Sequence, residues 1–279
     1  MRKRLAAGAA LLMIAIGLVA AMLWQARSMP RVRETTVVLP DWPAGARPVT
    51  VALLSDLHVG SLTMDETRLA RIVAQVNALH PDLVVLAGDF IAGHERVDAD
   101  AAPQLAPLAG LVPPLGTVAV LGNHDYWTDP VRVAATLRRA GIAVIANDAV
   151  TRGPLVIGGI DDEPTGHDRI DDTVAAMRAL PGAKVLLGHS PDNAPAMPAD
   201  IALMLAGHTH CGQIALPVAG AIHTSSRYGR RYACGVVREG PRTVIVGAGL
   251  GTSVLPFRFG APPDLWLVRL HGPVSRSRS

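Results

Sequence analysis

The stretch Val49-Thr50-Val51-Ala52-Leu53-Leu54-Ser55-Asp56-Leu57-His58 decides the fold. A short apolar run bounded by polar residues reads as a buried strand, and here it ends in a turn carrying a carboxylate and an imidazole. The same design returns four times. Asp82 to Ala87 ends in Gly88-Asp89, and Thr117 to Leu121 in Gly122-Asn123-His124-Asp125. Val185 to Leu187 ends in Gly188-His189, and Ala202 to Leu205 in Gly207-His208-Thr209-His210. In open α/β sheets ligands bind beyond the carboxyl ends of the strands, so five such turns can converge on one site. Glycine precedes the polar residue in four of them and permits close approach of backbone to a ligand.

Between these runs lie amphipathic segments. Thr67 to Leu79 carries apolar residues at 69, 72, 73 and 76, a helical period, and Pro130 to Ala140 starts on proline and stops at Gly141. Ile170 to Leu180 reads as a further helix. Val144-Ile145 and Leu155 to Ile160 read as strands, and the part after Ile214 is β-rich. Strands alternating with helices and followed by strands predict α/β layers around a sheet core.

The N-terminus is different. Leu5 to Trp24 is a run of 20 uncharged residues, long enough as a helix to span roughly 30 Å of hydrocarbon. Trp24 at its end suits the interface. The run exceeds the usual hydrophobic core of a cleaved signal peptide, and no A-x-A site follows it closely. The expectation is a single-pass anchor over 1–25 with a signal sequence as the alternative, then a linker over 26–47, one domain over 48–271, and a disordered tail over 272–279. Arg2, Lys3 and Arg4 before the span and Arg27, Arg31 and Arg33 after it give only a slight lean to an inside N-terminus.

The chain of 279 residues has a formal charge of +3, with 49% hydrophobic residues and 4% aromatic ones. It can therefore bury a core, built on aliphatic side chains. The six basic residues of 1–33 and the two of the tail leave 34–270 with 18 basic against 23 acidic residues. That balance lacks the footprint of a phosphate-backbone binder, and no nucleic-acid partner is expected. Cys211 and Cys234 permit one disulfide that sequence alone does not fix, and Cys211 is expected to be a small buried residue. His80, His94 and His223 have no motif context, and Asp161-Asp162-Glu163 reads as a solvated turn.

The donors at the five turns are imidazoles, carboxylates and an amide, a set that suits Mn, Fe or Zn. Seven are too many for one tetrahedral ion, whereas a carboxylate can bridge two ions that together clamp phosphate oxygens. In their order, Asp56-Leu57-His58, Gly88-Asp89, Gly122-Asn123-His124-Asp125, Gly188-His189 and Gly207-His208-Thr209-His210 resemble the motifs of the calcineurin-like metallophosphoesterases. The segment from Gly207 through Cys211-Gly212-Gln213, the Tyr228-Gly229 region and the late Gly249-Leu250-Gly251…Pro256-Phe257-Arg258 resemble the bacterial, membrane-associated YkuE/YaeI-like branch.

The resemblance implies a four-layer αββα sandwich with two divalent metal ions at one edge of its sheets. Asp56, His58, Asp89 and His210 would hold one ion, and Asp89, Asn123, His189 and His208 the other. His124 would be catalytic, stabilising the transition state or protonating the leaving oxygen, with Asp125 the nearest acidic residue to orient it. Arg227, Tyr228 and Arg230 are expected to contact a substrate phosphate. The implied activity is metal-dependent hydrolysis of a phosphodiester or pyrophosphate in a membrane-associated substrate at the bacterial cytoplasmic membrane, with UDP-2,3-diacylglucosamine of lipid A synthesis as one named candidate. The alternatives are a periplasmic or surface phosphodiesterase on nucleotides or cell-wall polymers, and a catalytically dead metal-binding interaction protein. Oligomeric state is not legible.

Overall fold

The structure is a computed structural model and describes residues 2–273. The helix α1 (Arg2–Arg27) leads into the strands β1 (Arg31–Val38) and β2 (Val49–Leu54), the helix α2 (Glu66–Ala78), β3 (Leu83–Ala87) and a 3-10 segment, Arg96–Gly110. There follow β4 (Thr117–Val120), the helices α3 (Asn123–Thr128) and α4 (Pro130–Arg139), β5 (Ala143–Val144), β6 (Asp148–Arg152), β7 (Leu155–Gly159) and α5 (Ile170–Arg178). The last strands are β8 (Ala183–Leu187), β9 (Leu203–Ala206), β10 (Ala215–Leu216), β11 (Gly220–Ala221), β12 (Gly235–Glu239), β13 (Arg242–Val246) and β14 (Asp264–His271).

Two six-stranded sheets result, ordered β1-β14-β2-β3-β4-β5 and β12-β13-β9-β8-β7-β6. Their strands read as continuous apolar runs because both faces are covered. Side chains alternate across each strand. Val49, Val51 and Leu53 of β2 and Leu83 and Val85 of β3 join Ile157, Val185, Leu187, Leu203 and Leu205 in a core between the sheets. Ala52, Leu54, Val84 and Leu86 point the other way, onto Leu69, Ile72 and Val76 of α2 and Val133 and Leu137 of α4. On the far face of the second sheet, Val156, Leu186, Met204 and Val244 pack against Val174 and Met177 of α5. The layers are therefore helix, sheet, sheet, helix, the sandwich implied by the sequence. Truncating a side chain such as Leu86 would cost about 2–5 kcal/mol, through lost transfer energy plus a cavity.

The segment expected as a linker is part of the fold. All eight residues of β1 pair in parallel with β14, from Arg31 opposite Asp264 to Val38 opposite His271. Its strand signal is masked because it lies at a sheet edge with only Val37 buried, so Arg31, Arg33 and Glu34 are tolerated on it. The expected tail lies outside the described residues from position 274 on.

α1 is long and apolar enough to cross a membrane. Only its last turns touch the domain, where Ala26 is buried and the Arg258 N–H donates to the Met22 carbonyl at 3.2 Å. Fully buried Arg68 of α2 fixes the exit, its guanidinium donating to the carbonyls of Ser28 (2.8 Å), Thr63 (2.8 Å) and Leu250 (3.0 Å). Because β14 runs antiparallel to β2, with Trp266 opposite Leu53, β1 starts at the carboxyl end of β2. The helix α1 thus enters the domain at the sheet edge that carries the polar turns.

Candidate metal centre

The turns after β2, β3, β4, β8 and β9 meet at that edge. Asp56, His58, Asp89 and His210 each offer a ligand atom within 4.8 Å of the others, and Asp89, His189 and His208 form a second such group. Asp89 belongs to both. Its Oδ2 lies 3.5 Å from His58 Nε2 and 3.3 Å from His189 Nε2. On the first side His58 Nε2 and His210 Nε2 are 3.1 Å apart, and His210 Nε2 is 3.4 Å from Asp56 Oδ1. On the second, His189 Nε2 is 3.1 Å from His208 Nδ1 and 3.0 Å from Asn123 Oδ1. Six of the seven residues singled out in the sequence fall into these two groups, and Asn123 adjoins the second through His189.

The backbone is bent to achieve this. Five of the seven, Asp56, His58, Asp89, His208 and His210, have φ between 49° and 68°. Non-glycine residues seldom adopt that left-handed region, and such strain concentrates where surrounding structure holds a functional geometry. The glycines complete the fit by their lack of a side chain. A Cβ on Gly207 would come within 2.5 Å of Asp56 Oδ2, and one on Gly88 within 2.6 Å of His189 Nδ1.

The donors suit divalent cations in tautomer as well as in kind. The Ala87 carbonyl accepts from His189 Nδ1–H at 2.7 Å, and the Ser225 carbonyl from His208 Nε2–H at 3.3 Å. Each bond leaves the opposite nitrogen facing the cluster, as metal-ligating histidines are normally oriented. Burial pushes His58 and His208 down to about 3, which favours the neutral form that a cation needs. Burial opposes ionisation of Asp89, but His189, His124 and His58 hold it well below the usual carboxylate range. Burial likewise opposes protonation of His189, yet Asp89, Asp56 and Asp162 raise it well above 6.5. Both shifts favour the charged forms of Asp89 and His189.

A cation bound at His189 Nε2 would displace the imidazolium proton, so affinity is expected to rise with pH and binding to release acid. Titrating manganese into metal-stripped chain at pH 6.5, in two buffers of different ionisation enthalpy, is expected to show about one proton or more released per chain. Heats independent of the buffer would contradict the assignment of His189 as a ligand.

His124 lies beside both groups. Its backbone N–H donates to Asp89 Oδ1 at 2.9 Å, and its ring stands edge-on to His58 with centroids 4.6 Å apart. Nδ1–H donates to the Gly93 carbonyl at 2.7 Å, which leaves Nε2 facing Ser253 Oγ at 3.2 Å. Burial lowers its pKa, making the protonated ring a stronger acid. Asp125 does not orient it. That buried carboxylate instead accepts from the N–H groups of Phe90 (2.9 Å), Ile91 (3.2 Å) and Gly122 (2.9 Å), binding the Asp89 turn to the start of α3.

The expected phosphate contacts are disposed differently. Arg227 pairs with Glu163 and Asp192. Tyr228 stacks edge-on against Tyr232, and Arg230 lines a separate cavity with Arg33 and Cys234. None of these side chains is directed at the ligand groups by the contacts it makes. Asp161 and Asp162 are buried, Asp161 accepting from Tyr126 Oη at 2.7 Å, because the turn packs against α3. Exposed His94 stacks near His124 and Trp127, with centroids 4.7 and 4.9 Å away. Cys211 is buried as expected, and it is bonded to Cys234 with Cα atoms 4.7 Å apart, which ties the His208–His210 turn to the chain before β12. Sequence reasoning missed Gly93 and Ser253, and it read Gln213 only as part of a motif. Gln213 holds the loop over His124, donating to the carbonyls of Ser253 and Leu255 and accepting from the Ser253 N–H.

The calcineurin-like phosphoesterase family profile matches residues 49–212. The chain is 31% identical over 251 residues to an uncharacterized metallophosphoesterase of Aquifex aeolicus (strain VF5), covering 87% of this chain and 92% of that one. It is 30% identical over 245 residues to the uncharacterized metallophosphoesterase YkuE of Bacillus subtilis (strain 168), covering 85% and 84%. It is 29% identical over 254 residues to a transmembrane protein with metallophosphoesterase domain of Danio rerio, covering 85% of this chain and 56% of that protein. The matched span contains all seven convergent donors and His124, and on these grounds the chain belongs to the calcineurin-like phosphoesterase family.

Proposed function

We propose that this chain is a two-metal hydrolase of phosphodiester or pyrophosphate bonds, held at the bacterial cytoplasmic membrane by α1 and acting on a membrane-associated substrate. The observation that carries the reading is Asp89, shared by two donor groups with His124 alongside. Mn, Fe and Zn all suit the nitrogen and oxygen donors. Divalent cations held there supply Lewis acidity toward phosphoryl oxygens. The chain's own residues do the rest. Asp89 spans the two groups and fixes the His124 backbone, the Gly93 carbonyl sets the imidazole tautomer, and Nε2 is the atom available to pass a proton to the leaving oxygen.

A specific observation favours the domain lying outside the cytoplasm. Disulfides persist in oxidising compartments and are rare in the cytosol, and Cys211–Cys234 braces the ligand turn itself. An outward domain disfavours UDP-2,3-diacylglucosamine, a cytoplasmic substrate, and favours a periplasmic or surface phosphodiesterase.

The full chain in detergent, stripped of metal and then given Mn²⁺, is expected to hydrolyse bis(4-nitrophenyl) phosphate and to release no UMP from UDP-2,3-diacylglucosamine. Release of UMP would reverse the compartment assignment. Loss of turnover toward every diester, with metal bound, would revive the dead-site alternative.

A further inference from the structure

The cavities beside the candidate metal centre have apolar lips. One, of about 430 Å³, lies against His210 and is bounded by Ile222, Val254 and Leu255. The other, of about 480 Å³, lies against His58 and His124 and is bounded by Leu62, Val254 and Leu255. These side chains are open to solvent, Leu62 at 76% and Val254 at 86% of full exposure, and Val218 at the tip of the β10–β11 hairpin is completely exposed.

Two of them are in costly conformations. Val218 has φ of 67° and Val254 of 59°. A β-branched residue in the left-handed region is a genuine outlier, and a solvent-facing turn would ordinarily use glycine or asparagine there. Among the described residues, nothing in the packing rewards valine at either place, since neither side chain is covered.

Their position supplies the reason. The Arg258 N–H donates to the carbonyl of Met22, which lies inside the apolar run of α1. Leu255 is three residues from Arg258, hence within roughly 10 Å of that contact even if the chain is fully extended. The hairpin is pinned to the same place, because the Ala215 N–H donates to the carbonyl of Phe259, the neighbour of Arg258. With Met22 in the hydrocarbon near its boundary, a loop that close lies within reach of the headgroup zone, which extends about 5–8 Å beyond the hydrocarbon on each side.

We propose that Leu62, Val218, Ile222, Val254 and Leu255 form a surface that dips into the bilayer crossed by α1. The centre then opens at the interface, and its substrates are phosphate esters of membrane lipids whose acyl chains stay in the bilayer while the phosphate enters between the lips. The substrate half of this proposal rests on the phosphoesterase reading above; the surface itself does not.

The test uses the full chain reconstituted in phosphatidylethanolamine–phosphatidylglycerol vesicles. Val254→Cys is labelled with an environment-sensitive fluorophore, the native cysteines being joined to each other. Val112→Cys, exposed before β4 at the opposite end of the sheet, is the control. A lipid-borne doxyl quencher is expected to reduce emission at 254 by about twofold or more and to leave 112 unaffected. Equal, negligible quenching at both sites would overturn the proposal without reference to activity.

The second arm pairs bis(4-nitrophenyl) phosphate with a diacylglycerol 4-nitrophenyl phosphate in the vesicles, so that the leaving group is constant. The Val218→Asn variant, at a position that lines neither cavity, suits the left-handed backbone better than valine. It is expected to retain its rate on the soluble diester and lose about tenfold on the lipid diester. Undiminished lipid hydrolysis in that variant would overturn the substrate assignment. Quenching at 254 with no hydrolysis of either diester by the parent chain would overturn the phosphoesterase reading and leave the membrane surface standing.

Discussion

Asp89→Ala is expected to empty both cation sites and to lower diester turnover by about 10³-fold or more, beyond the loss of a single electrostatic contact to the transition state. The size of the effect comes from three simultaneous losses. Asp89 Oδ2 faces His58 on one side and His189 on the other, so both donor groups lose a member. The carboxylate that accepts from the His124 N–H also disappears, which frees the start of α3 to shift. Metal analysis of the purified variant, alongside its thermal unfolding as a check on the fold, reads the outcome. Two metal ions per chain in a folded Asp89→Ala variant would refute the shared-ligand assignment.

His124→Gln is expected to retain its metal and to lose about 10²–10⁴ in kcat, the range of a positioned general acid. The loss should depend on the leaving group. An alkoxide needs a proton as it departs, whereas 4-nitrophenolate does not, so an alkyl diester should suffer far more than bis(4-nitrophenyl) phosphate. Equal losses on the two would assign His124 a purely electrostatic role. Loss of metal would make it a ligand, contrary to the hydrogen bond that turns its Nδ1 toward Gly93.

The convergence of Asp56, His58, Asp89, Asn123, His189, His208 and His210 was legible because strand polarity dictates it. Parallel neighbours such as β2, β3 and β4 present their carboxyl ends at one edge, and an apolar run ending in a polar turn marks that end. The sheets were legible for a related reason, since strands buried on both faces have no polar alternation to confuse with a surface element. β1 escaped the same reading because an edge strand tolerates Arg31, Arg33 and Glu34.

What remained hidden depends on contacts distant in sequence. No local pattern says that Arg227 meets Glu163 and Asp192, or that Cys211 bonds Cys234. Nor does one say that Gly93 rather than Asp125 orients His124. The left-handed conformations of five ligands were equally invisible, because aspartate and histidine carry no backbone signal comparable to that of glycine. The exposed apolar lips can be read in the sequence only as ordinary loop valines and leucines. Their meaning comes from the fold, which places the exit of α1 beside them.

The most direct test of the central claim is a metal titration of activity. Full chain stripped of metal is titrated with Mn²⁺ while bis(4-nitrophenyl) phosphate hydrolysis and bound metal are followed together. The shared-carboxylate centre predicts no hydrolysis in the stripped chain and a plateau only when both donor groups are filled, at two ions per chain. Full activity at one ion, or undiminished hydrolysis without any, would contradict it.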